Sequence, residues 1–206
     1  MNSAAPPADE HTALIVSGSP ARHSHTRALA ERMAESVQAQ GLRPVLIDLA
    51  ENPPPMVDLV HYWSDQRHPD EAVAAWIEQV RGASAVVLAT PVQHASYSGL
   101  LKSALDLLPA DALEYTPVCV AAHAGGAKGS TSACEHLRTV VKALAGWMIP
   151  TQVTTVGADF EVQGSDRSLV NKAALFRCEA AAEELATFAR GIGRYAGSDQ
   201  RMELTR

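Results

Sequence analysis

Cysteine is scarce in this chain. Its 206 residues hold three, Cys119, Cys134 and Cys178, dispersed and without a Cys-x-x-Cys pair. That pattern argues against a disulfide framework or a zinc site. It favours a reducing, cytoplasmic compartment in which the thiols are buried or incidental. Long apolar runs are missing too, so no segment reads as a membrane span. There is no basic stripe: the net charge is −6 and spread along the sequence, which points away from nucleic acid. The opening MNSAAPPADEHT has neither a basic region nor an apolar core. It reads as a disordered arm over residues 1–12 rather than a secretory signal, and the closing GSDQRMELTR belongs to a flexible tail over 193–206. Internal repeats and a domain-splitting linker are absent.

Against these absences stands a hydrophobic content of 47%, enough for one sizeable core over residues 13–192. Short apolar runs alternate with helical patterns. ALIVSG, RPVLIDL, SAVVLAT, TPVCVAAH and TQVTTVG read as buried strands. SHTRALAERMAESVQAQG, HPDEAVAAWIEQVRGA, SYSGLLKSALDLL and TSACEHLRTVVKALAG read as helices, and DRSLVNKAALFRCEAAAEELATFARG as a long last one. In the second of these, Pro69 takes a first-turn position, with Asp70 and Glu71 beside the positive helix end. Such alternation implies a parallel sheet covered on both faces. Five strands fit an α/β, flavodoxin-like three-layer sandwich with strand order 2-1-3-4-5. Ligands bind such sheets past the carboxyl ends of the strands, so the turns after strands one, three and four matter most.

The first turn, SGSPARHSHTRAL, lacks Gly-x-Gly-x-x-Gly and Gly-x4-Gly-Lys-Ser/Thr, which removes the usual dinucleotide and triphosphate loops. It lacks acidic residues too, so it cannot hold magnesium as a receiver domain does. It offers hydroxyls (Ser17, Ser19, Ser24, Thr26), two histidines (His23 and His25), Arg22 and a helix start. Free amides and the dipole at a helix amino end suit a single phosphate ester; ordinary capping by Ser24 or Thr26 is the alternative. In the second turn Pro91 stops a strand and Val92, Gln93 and His94 follow at the sheet edge. The helix restarting near Ser98 has Leu100, Leu101, Ala104, Leu105, Leu107 and Leu108 almost all the way round. An all-round apolar helix is buried on every face, which suggests a second subunit on its outer side, or else cover from the irregular stretch at 50–68. The third turn carries His123, Gly125 and Gly126.

GSPARHSHTRAL, ATPVQHASYSGLLKSALDLLP and AHAGGAKG fall in the order and separations of the NADPH-dependent FMN reductases, which the chain resembles over most of residues 13–160. It looks most like the flavin reductases of two-component alkanesulfonate and methanesulfonate monooxygenase systems. The resemblance implies a flavodoxin-like homodimer or homotetramer that passes a hydride from NADPH or NADH to FMN and supplies a flavin-dependent monooxygenase. It matches Ser19, Ser24, His25 and Thr26 to the FMN phosphate loop, with Arg22 as an extra cation. Pro91, Val92, Gln93 and His94 match the segment along the isoalloxazine ring, with Tyr97 and Ser98 behind. Gly125 and Gly126 match the turn at the ring edge, where His123 also stands, and Lys102 and Asp106 match a subunit contact. At Gln93 many members carry an aromatic, commonly Tyr. With the redox chemistry in the flavin, no obligate catalytic side chain or metal is expected, and no metal spacing is seen. Trp63, Trp76 and Trp147 read as core or interface. Two other readings stand beside this one: a reductase of quinones, azo dyes or metal ions that keeps FMN bound, and a flavodoxin-type electron carrier.

Overall fold

A row of short apolar segments forms one parallel sheet. The computed structural model describes residues 11–58, 60, 67–126 and 130–196. Thr12–Ser17 (β1) is the pivot strand, flanked by Arg43–Asp48 (β2) and Ala85–Pro91 (β3). Pro117–Ala124 (β4) pairs with β3. The order is β2-β1-β3-β4, and the fifth place is shared by two short pieces. Trp147–Met148 (β5) pairs with Pro117 and Val118, and Val153–Val156 (β6) pairs with Ala121–Ala124. The predicted fifth strand is thus β6, and the order 2-1-3-4-5 is the one observed. Pro150 stands in the break, where a residue without an amide cannot continue a ladder.

Alternation along β1 sorts side chains to the two faces. Ala13 and Ile15 join one core with Leu29, Met33 and Val37 of His25–Ala39 (α1) and Cys178, Ala182 and Leu185 of Lys172–Ala196 (α5). Leu14 and Val16 join the other core with Val80 of Glu71–Arg81 (α2). That core also takes Leu101 and Leu105 of Gly99–Asp106 (α3) and Leu137 and Val141 of Ser130–Ala143 (α4). Both faces are therefore covered, as near-continuous apolar strands require.

Local chemistry sets the helix starts. Ser24 Oγ accepts from Arg27 N at 3.0 Å, and Asp70 Oδ1 accepts from Ala72 and Val73 amides. Asp70 is the cap, so Pro69 precedes it and does not lie in the first turn. The last helix begins later than its sequence suggests. Asp166–Leu169 (β8) pairs antiparallel with Phe160–Gln163 (β7) across a turn with Gly164 at φ 61°, and Asn171 caps α5 by accepting from Ala173 and Ala174 amides.

The outer side of α3 is partly covered within the chain. Trp76 Nε1 donates to the Ala104 carbonyl at 2.8 Å, and Met56 Sδ lies 3.8 Å from Ser103 Oγ. Lys102 Nζ meets Asp106 on the same helix at 2.5 Å. Trp147 is about half exposed at the sheet edge, tilted against Tyr115, and Trp63 lies outside the described residues. Most of the arm expected over 1–12 and of the tail expected over 193–206 lies outside them too; α5 runs to Ala196. Among the described residues no helix is long and apolar enough to cross a membrane.

Candidate active site

The carboxyl ends of β1, β3 and β4 bring the three expected turns to one rim. The first two are bolted together by buried polar contacts. Gly18 N donates to the Ala89 carbonyl at 2.8 Å, and Ser98 Oγ donates to the Gly18 carbonyl at 2.6 Å while accepting the Leu101 amide. Gly18 is required by space: a Cβ there would stand 2.8 Å from Leu101 Cβ and 3.1 Å from the Ala89 carbonyl. Ser98 is fully buried with its hydroxyl occupied, so the structure places it beneath the site as a fastener.

In the first turn Ser19 and Thr26 are buried and Arg22 is exposed. Ser19 Oγ accepts the Ala21 amide at 3.2 Å and folds the loop on itself. Ser24 takes the Arg27 amide. The amides of His25 and Thr26 precede the first intrahelical bond and so remain available to an anion at the helix end. Ser17, on the α1 side of β1 just below this loop, is fully buried with no partner for Oγ. A buried hydroxyl without a partner is costly. Hydroxyls, helix-end amides and Arg22, with no carboxylate between residues 17 and 26, form a donor set that fits a phosphate monoester.

The second turn leaves β3 at Pro91. Val92 N donates to the His123 carbonyl at 2.8 Å, which ties this turn to the end of β4. Gln93 and Ser96 exchange backbone hydrogen bonds at 2.9 and 3.0 Å, with His94 and Ala95 between them at φ 48° and 62°. Gln93 and His94 are exposed, while Tyr97 is half-buried against the core that holds α3. The third turn opens after Ala124. Gly125 and Gly126 are exposed, and a side chain at either would meet nothing within 4 Å. Residues 127–129 lie outside the described ones.

His25 and His123 come together in a way the sequence did not disclose. Their rings stack at 4.5 Å with 16° between planes, and Phe160 meets both edge-on at 4.9 and 5.4 Å. His123 Nδ1 also lies 3.2 Å from Thr155 Oγ1. Burial, then the neighbouring His25, pushes His123 down to about 4, against a weaker opposing pull from Asp159. Burial and the charge of Arg167 lower His25 as well. Both rings are therefore neutral near pH 7, and His25, which opens α1 beside the first turn, also packs against His123 and Phe160.

Comparison with known proteins bears on the family and the fold. Residues 12–161 match the model of the family described as NADPH-dependent FMN reductase. An FMN-dependent NADPH-azoreductase of Staphylococcus aureus is 35% identical over 147 residues, 71% of this chain and 78% of that protein. An oxidoreductase from Corynebacterium diphtheriae superposes with a TM-score of 0.72 at 28% identity, covering 89% of this chain and 99% of that one. The FMN complex of an FMN-dependent NADH-azoreductase from Bacillus anthracis shares the fold, with a TM-score of 0.62 at 17% identity over 85% of this chain and all of that one. The chain belongs to the NADPH-dependent FMN reductase family.

Proposed function

We propose that this rim holds FMN with its phosphate on the turn after β1 and its ring between the turns after β3 and β4, and that the chain passes reducing equivalents onward to an organic acceptor of the azo or quinone class. By family the protein is an NAD(P)H:FMN oxidoreductase that uses FMN and NAD(P)H. The observation that carries the placement is the first turn, a carboxylate-free cradle of hydroxyls and helix-end amides above the unpartnered Ser17 Oγ. Ser19, Ser24, His25, Thr26 and Arg22 would hold the phosphate; Pro91, Val92, Gln93, His94 and Tyr97 would border the ring on one side, and His123, Gly125 and Gly126 on the other. FMN, when bound, supplies a two-electron acceptor for the nicotinamide hydride. The chain's part is to orient: the Ser98–Gly18 and Val92–His123 hydrogen bonds keep the three turns in one frame.

Relay to an azo or quinone acceptor is supported by the staphylococcal azoreductase, whose 35% identity spans most of both chains. Release of reduced FMN to a partner monooxygenase is the second reading. It is favoured by Gln93, exposed where many members carry an aromatic that would grip the ring. A homodimer or homotetramer in contact through α3 belongs to either reading. The test is the protein as purified. Stoichiometric bound flavin with turnover of an azo dye such as methyl red, from NADPH or NADH, supports the relay. Colourless protein that oxidises NAD(P)H only when FMN is added supports release. Bound flavin that accepts electrons from neither nicotinamide would contradict both and favour a carrier.

A further inference from the structure

The turn after β3 adopts a shape its residues resist. His94 and Ala95 are consecutive residues at positive φ, 48° and 62°. A two-residue turn of this kind normally carries Asn-Gly, because side chains other than Asn and Asp disfavour the left-handed region. Neither Asn nor Gly stands here, so support has to come from outside the turn.

That support comes from α4. Ser132 Oγ donates to the Ala95 carbonyl at 2.7 Å, and His136 Nδ1 lies 2.9 Å from Ser96 Oγ. The two residues are four apart and so lie on one face of the helix. They grip the turn at the second strained residue and at the one after it. The helix does not need these contacts for its own seat, since Ala133, Cys134, Leu137 and Val141 anchor it in the core. The helix beginning after the third turn therefore reaches across to fix the second.

We propose that Ser132 and His136 are positioning residues for the flavin-side turn. They hold His94 and Ala95 in the left-handed region and so fix where Gln93 and His94 stand at the rim. The proposal rests on the reading of this rim as the flavin site. Because the clamp acts on the ring side and not on the phosphate loop, losing it weakens FMN and riboflavin alike.

The test uses the full-length protein with Ser132→Ala, His136→Ala, the double variant and His136→Asn, whose amide can occupy the place of Nδ1. Affinities for FMN and riboflavin are read by flavin fluorescence, beside KM and kcat for FMN and the thermal unfolding of each variant. Alanine is well tolerated at helix positions such as these. The expected result is a loss of roughly 3- to 10-fold in affinity per single variant, equal for FMN and riboflavin. KM should rise with little change in kcat, most of the loss should return in His136→Asn, and unfolding should stay close to wild type. Unchanged affinity in the double variant overturns the proposal, as does a loss confined to FMN or one that merely follows a drop in stability. A wild-type protein that binds neither flavin would instead remove the site reading, an outcome distinct from a binding wild type with indifferent variants.

Discussion

Acidification should destabilise this protein through His123 at a pH where most carboxylates are still ionised. The ring is buried, 9% exposed, stacked on His25, and its folded-state pKa is about 4 against 6.5 for a free imidazole. The unfolded chain therefore binds more protons between those two values, and stability falls as pH drops through that window. Above about pH 6.5 the ring is neutral in both states and contributes no slope. At about pH 5 the unfolded ring is almost fully protonated and the folded one about a tenth so, a difference worth roughly 2 kcal/mol. With a urea m-value of about 2 kcal/mol/M, the midpoint should fall by about 1 M between pH 7 and pH 5 from this ring alone. His123→Phe keeps a ring between His25 and Phe160 but cannot take up a proton. Urea titrations of both proteins at the two pH values isolate the effect. Equal pH dependence in wild type and variant, or an NMR titration placing His123 near its free value, would refute the reasoning.

Two further outcomes follow from packing. Gly18→Ala should destabilise the protein by about 1–3 kcal/mol, because the new Cβ meets the Leu101 Cβ and the Ala89 carbonyl; a urea midpoint equal to wild type would show that α3 yields freely. All three thiols are buried, with Cys134 and Cys178 pushed up by burial to about 12 and Cys119 raised further for the same reason. A thiol reagent should therefore label none of them in the native protein at neutral pH and all three after denaturation; rapid native labelling would contradict that burial.

The elements legible in the sequence were those whose signal is local. Buried strands such as ALIVSG and TPVCVAAH are short, apolar and bounded by turn residues, and Ser24 stands where a cap should. Two elements escaped because their signals were too short or too polar. Trp147–Met148 is a strand of two residues, Phe160–Gln163 is only four residues long, and Asp166–Leu169, polar at its first three positions, reads as the start of the following helix. At the site, the segments forming the rim were readable, but the division of labour within them was not. Ser98 turned out to be a buried fastener, since only the folded chain brings Gly18 to it from 80 residues away. The His25–His123–Phe160 stack and the Ser132 and His136 clamp join residues far apart in the chain, and Gln-His-Ala-Ser carries no Asn or Gly to mark the strained bend.

Calorimetric titration of the flavin-free protein with FMN and with riboflavin tests most directly whether the β1–α1 turn is a phosphate cradle. The two ligands share the ring and differ by one phosphate ester. The account predicts that FMN binds at least about tenfold tighter, since charge-assisted bonds from helix-end amides and hydroxyls contribute on the order of 1.5 kcal/mol or more. Equal affinity for the two ligands, or no binding of either, would contradict it.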